Sequence, residues 1–225
     1  MLTDIPELIP LALAIAISPI PLAGLLLKLM SPDGFHATIG LAAGWFVGVG
    51  AAVTGLSILS TFLPEHDPEA AAPFVAVGSL VVGVALAVVG ILQVRSRPPG
   101  DDPVKLPGWM GVLDRLGPIR AAVIGFGYAA LRPKNLILAA AASVIIWRNN
   151  PEPASVVVSL VVFTVVAAST MIAPVLAYAF GTTVVRRGLV RLREWLLTHV
   201  ALITGVTLLV LGGALTLFGL VGLFG

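Results

Sequence analysis

Six long apolar runs alternate with short polar ones along the 225 residues. They cover residues 8–29, 37–63, 71–94, 119–147, 154–180 and 197–223. Each is long enough to cross a hydrocarbon core ~30 Å thick, which takes about 20 helical residues. A spanning strand needs only ~9–11 residues of strict alternation, and no such alternation occurs. The pattern predicts an all-α polytopic membrane protein with six transmembrane helices. Proline interrupts some of the runs. Ser18-Pro19-Ile20-Pro21 breaks the first, Arg132-Pro133-Lys134-Asn135 breaks the fourth, and Pro174 breaks the fifth.

A weak repeat follows from these interruptions. Runs one to three and four to six each open with a proline-broken helix, continue after a short loop, and end on a Gly-rich helix. Three spans per half is an odd number, so the halves have opposite orientation. That is the inverted repeat of many secondary transporters, whose binding site lies where the halves meet. The organisation expected is one membrane domain over 1–225. Residues 1–94 form the first three-helix repeat, 95–118 a basic cytoplasmic link, and 119–225 the second repeat.

The polar connections carry nearly all the charge. Residues 30–36 are a tight turn, 64–70 (PEHDPEA) are acidic, 148–153 (RNNPEP) are short, and 181–196 read as a basic connection. Ten cations fall on one side of the six spans: Lys28, Arg95, Arg97, Lys105, Arg115, Arg120, Arg186, Arg187, Arg191 and Arg193. Arg148 alone falls on the other, and Arg132 and Lys134 lie between. The positive-inside rule then puts both termini outside the cytoplasm and the basic links inside, in a plasma (inner) membrane.

Composition narrows the function. The chain is 58% hydrophobic and 11% charged, against about 25% charged in a soluble domain, and its mean hydropathy is +1.07. A formal charge of +2 is too small and dispersed for nucleic-acid binding. The absence of cysteine removes disulfides and thiol relays. Asp4 and Glu7 stand where a signal peptide carries Lys or Arg. No nucleophile elbow, phosphate-binding glycine loop or zinc motif is present, so no enzyme activity and no cofactor is expected. His36, His66 and His199 are scattered. His66-Asp67-Pro68-Glu69 reads as a solvated loop rather than a metal site.

Residues 119–147 carry the candidate chemistry. A helix of this length runs about 44 Å at ~1.5 Å per residue, so its centre falls near the membrane midplane. Arg132 and Lys134 sit there, where an unpaired charge costs at least ~2.5–3.5 kcal/mol. No Asp or Glu lies inside any of the six runs, so a substrate anion is the simplest partner. Arg132 offers a planar fork for a carboxylate, sulfate or phosphate, and Lys134 a compact point charge. Asn135 can bond a polar substrate group or the opposite broken helix. Pro133 removes one N–H and leaves backbone groups near Ala129 to Arg132 partly unpaired. In the first run, Pro19 and Pro21 do the same for carbonyls around Ile15 to Ile17, beside the hydroxyl of Ser18. In the fifth, Thr170, Pro174 and Tyr178 recur at helical spacing and share one face. Thr164, Ser169, Thr54 and Ser57 read more simply as glue between helices. The candidate substrate-binding set is thus Ser18, Pro19, Pro21, Arg132, Pro133, Lys134, Asn135, Thr170 and Tyr178. Gly40, Gly44 and Gly48 make overlapping G-x-x-x-G spacings, for packing within the bundle or in a homodimer. Gly205, Gly212, Gly213 and Gly219 suggest close packing of the last span.

The stretches SPIPLAGLLLKLMSP (18–32) and ALRPKNLILAAAA (130–142) resemble the GAP family of actinobacterial membrane proteins, which includes the glycolipid- and sulfolipid-addressing proteins of mycobacteria. In plan the chain is also similar to the broader LysE-type exporter superfamily. Ser18, Pro19 and Pro21 match the Ser-Pro-Gly-Pro-like break of that superfamily, with Ile20 at the glycine position. Pro133 and Lys134 match its Asn-Pro-Lys-like break, with Arg132 in place of the asparagine. That departure weakens any transfer of amino-acid substrate identity from the resemblance. It does imply an export role, lipids moved to the cell surface, and work beside a larger lipid transporter.

The function expected is therefore a plasma-membrane exporter or translocation factor for a polar-headed or anionic small molecule, a cell-envelope glycolipid among them. It would work by alternating access around a midplane site. The alternative is a non-transporting accessory or scaffold protein of a lipid-export machine. A membrane oxidoreductase lacks cysteines or paired buried histidines, and a channel lacks a ring of pore charges.

Overall fold

The computed structural model describes residues 5–61, 68–95, 117–149 and 152–224. Eight helices and no strand are found among them. The helices are α1 (Ile5–Ala16), α2 (Pro19–Leu29), α3 (Gly34–Thr61), α4 (Pro68–Arg95), α5 (Pro118–Ala130), α6 (Pro133–Asn149), α7 (Pro153–Phe180) and α8 (Thr183–Phe224). Four of them, α3, α4, α7 and α8, are long and apolar enough to cross a membrane alone. Two further pairs qualify if each bent pair is one span: α1–α2, bent by 57°, and α5–α6, bent by 63°. The chain is thus a multi-pass membrane protein with four to six spans. Most of the basic link 95–118 and the acidic loop, with His66, lie outside the described residues, as do the first four residues.

Proline placement decides where helices stop. Pro19, Pro118, Pro133 and Pro153 stand at or next to helix starts, where the missing N–H would be unpaired anyway. Pro174 does not break its helix as the sequence suggests, because α7 continues through it. Neighbouring helices can absorb one interior proline in a membrane. The stretch expected as a basic connection, 181–196, also departs from expectation. From Thr183 it is the first part of the 42-residue α8. It has no proline, and its Leu and Arg side chains favour helix.

Two compact units divide the chain. The first comprises residues 1–62 and 105–194, and so holds α1, α2, α3, α5, α6, α7 and the start of α8. Its core is built on Leu8, Ile15, Leu25, Trp45, Phe163 and Met171, all 1% exposed or less. Gly40, Gly44 and Gly48 lie on the backbone of Pro118, Ala122 and Phe126. A Cβ at any of them would strike that backbone, so the G-x-x-x-G face serves packing inside the bundle. The numbers rise together, so α3 and α5 run parallel. The α2–α3 turn is closed by Ser31 Oγ, which donates to the Lys28 carbonyl at 2.8 Å.

The second unit comprises 63–104 and 195–225, and so holds α4 and the apolar part of α8. Here Gly83 meets Gly212, and Gly90 meets Gly205. One number rises as the other falls, so the two helices are antiparallel. Gly213 faces open space and takes no part.

Candidate functional site

The two broken helices meet inside the first unit. A continuous helix would bond the carbonyls of Ile15 and Ile17 to the N–H groups of residues 19 and 21. Both are proline, so both carbonyls are orphaned, and buried orphans are costly. Each has a replacement donor. Ser18 Oγ donates to the Ile15 carbonyl at 2.8 Å. Lys134 Nζ, more than a hundred residues away in the chain, donates to the Ile17 carbonyl at 3.0 Å. The Ser18 N–H turns to Ala16 (2.8 Å), which would leave Ala14 without its usual partner. Lys134 Nζ fills that place too, at 2.8 Å. Thr170 Oγ1 of α7 donates to Ala16 at 2.7 Å. Lys134 also reaches Ser18 Oγ at 3.1 Å. The carbonyls that Pro19 and Pro21 leave unpaired are capped by side chains.

Lys134 needs no carboxylate in this arrangement. Its ammonium has three N–H donors and faces three oxygen acceptors. Two belong to the C-terminal end of α1, where the helix dipole is negative and favours a cation. The Lys134 ammonium is met by the dipoles of two backbone carbonyls and one hydroxyl.

The second break is simpler. Pro133 orphans one carbonyl, that of Ala129, and Asn135 Nδ2 takes it at 2.9 Å. Asn135 therefore bonds within its own helix pair, while Lys134 crosses to the other. Asn135 is 1% exposed, and its Oδ1 has no hydrogen-bond partner among the described residues. Arg132 is half-buried and rests over the ring of Tyr128, 5.0 Å from its centre. Tyr128 in turn lies 6.2 Å from the ring of Trp45.

Of the candidate residues, the structure brings Ser18, Pro19, Pro21, Lys134 and Thr170 to the first break, and Arg132, Pro133 and Asn135 to the second. Tyr178 stands apart. It lies eight residues beyond Thr170 on α7, about 12 Å along the axis, against Phe35 and Arg186. Thr164 and Ser169 bond carbonyls of their own helix. Sequence reading did not single out Tyr128 and Trp45, since an aromatic residue in an apolar run carries no mark of its neighbours. Among the described residues no group of His, Cys, Asp or Glu could hold a metal ion.

A family model described as Sap, sulfolipid-1-addressing protein, matches residues 8–221. No curated protein and no solved structure matches the chain. The match spans nearly the whole sequence, and the chain belongs to the sulfolipid-1-addressing protein family.

Proposed function

We propose that this member of the sulfolipid-1-addressing family is a translocation factor of the plasma membrane. Its cargo is a polar-headed, anionic lipid such as a sulfated glycolipid, which moves by alternating access at the paired breaks. The observation that carries the reading is Lys134 of one break holding the carbonyls of Ala14 and Ile17 in the other. A half-buried cation bridging two discontinuous helices is a contact an anionic head group can compete for. Release of Lys134 would free dipole ends and one charge together. Arg132 is the second cation in reach of an entering head group, and the free Oδ1 of Asn135 is an acceptor for a hydroxyl.

Six crossings in two inverted halves belong to the same proposal, as does the likeness to LysE-type exporters. Helix direction supports the crossings. If α5–α6 turned back to its own side, α7 would start there and α8 would run parallel to α4. Their glycine contacts are antiparallel instead. Both termini outside the cytoplasm completes the arrangement.

The test is movement of a fluorescent sulfated glycolipid between leaflets of reconstituted vesicles. Wild type is compared with Lys134→Met and Arg132→Gln, each checked for helix content. The reading expects flux in wild type and a loss of about tenfold in each variant, roughly the worth of one charged hydrogen bond. Undiminished flux in both folded variants sinks it.

One observation favours the accessory reading. All three donors of Lys134 are occupied, as suits a residue that only holds the helices together. That reading expects no flux from the protein alone, and co-purification with a larger lipid transporter.

A further inference from the structure

An apolar groove of about 550 Å³ runs between α3 and α7 in the first unit. It shares no lining residue with the paired breaks. Ala42, Ala43 and Ala179 leave room, and Phe35, Phe46 and Phe180 line it. A volume of this size is in the range of small-molecule sites, ~300–1,000 Å³. The α3 side reaches from Phe35 to Val47. That is about 18 Å of helix, close to one leaflet of a ~30 Å core. The helices are antiparallel here, since Phe35 meets Tyr178 and Gly50 meets Thr164. One end of the groove therefore lies where α3 begins and α7 ends, at the level of the membrane boundary. The other end points toward the membrane centre.

The boundary end is charged. Tyr178 packs its ring 5.9 Å from Phe35, and the exposed guanidinium of Arg186 sits 4.6 Å over the same ring. The tyrosine holds Arg186 at the end of an apolar slot. Arg187 follows on the same helix and is also exposed. A slot one leaflet long, with a cation held over the ring that packs on its Phe35 end, fits an amphiphile with one apolar tail and an anionic head.

We propose that the α3–α7 groove binds one acyl chain of an anionic membrane phospholipid, with its head group on Arg186. The lipid is a resident of the leaflet at that end rather than the transported cargo. It packs a concave face that the helices leave unfilled, and it links the charge of the leaflet to the junction of α7 and α8. The site stands whether or not the protein carries lipid across the bilayer.

Photo-crosslinking of the full chain in nanodiscs tests this. The probe is phosphatidylglycerol with a diazirine on one acyl chain, and labelled peptides are mapped by mass spectrometry. Label is expected to concentrate on residues 35–47 and 172–180. Unlabelled phosphatidylglycerol should displace it about fivefold better than phosphatidylcholine, the worth of one basic residue near a membrane surface. Arg186→Gln should erase that preference while label stays in the groove. Ala43→Phe and Ala179→Phe, each filling the slot, should abolish the groove label with helix content unchanged. Even labelling around all lipid-facing helices overturns the proposal. So does equal displacement by the two lipids, or a groove occupied by a second copy in protein–protein cross-links.

Discussion

The two helix breaks look alike in sequence and are satisfied in opposite ways. The second has one proline at its turn, which takes the donor from the Ala129 carbonyl, and Asn135, two residues beyond that proline, supplies another. The first has two prolines two residues apart and exposes the carbonyls of Ala14 to Ile17. One local hydroxyl, Ser18, is not enough. The remainder is supplied by Lys134 from α6 and Thr170 from α7. A single proline can be healed within its own helix, whereas a doubled one has to be healed by the rest of the bundle. The first break is therefore a tertiary joint, and the second is a local kink.

Lys134→Met should have the largest effect on this difference. It leaves the carbonyls of Ala14 and Ile17 without these donors, at ~1–3 kcal/mol each, offset in part by removal of a half-buried charge. A net loss of about 3 kcal/mol is expected, read as a lower unfolding midpoint in detergent. If the drop is no greater than that of a single hydrogen bond, the first break is not held from outside.

Coupling comes next. A double-mutant cycle of Lys134→Met with Ser18→Ala should give an interaction of about 1 kcal/mol, because both caps serve one set of carbonyls. Lys134→Met with Asn135→Leu should be closer to additive. Equal coupling in the two cycles would mean that the breaks form one network. Thr170→Val keeps the shape and removes one donor to Ala16, for an expected loss of about 1 kcal/mol.

Pro133→Ala should matter least. It returns an N–H to the Ala129 carbonyl and makes the Asn135 donor redundant, so stability should move by no more than ~0.5 kcal/mol. Chemical denaturation of the variant beside wild type reads this directly. A large loss would show that the second bend is held by more than its own asparagine.

Much of this was legible in the residues. The apolar runs announced spanning helices, because a backbone in hydrocarbon satisfies itself as helix. Pro19, Pro21 and Pro133 marked both breaks, and the bends of 57° and 63° fall there. Pro174 misled, since the same residue type is tolerated inside α7. The charge of residues 181–196 suggests a connection, yet from Thr183 onward nothing in that stretch stops a helix. Lys134 and Asn135 stand out in the sequence as polar residues within an apolar run, and both make hydrogen bonds at the breaks. Asn135, expected to bond a substrate group or the opposite broken helix, bonds Ala129 of its own pair, and it is Lys134 that reaches the other break.

What the sequence determined by itself is the class of structure, the position of each break and the number of hydrogen bonds each proline removes. Those depend only on residue type and on distance along the chain. Which donors repair the first break, which glycines touch which helix, and that Arg186 stands over the ring that packs on Phe35 of an apolar groove were decided by tertiary structure. Each of these joins residues far apart in the chain, and that proximity exists only once the helices have packed.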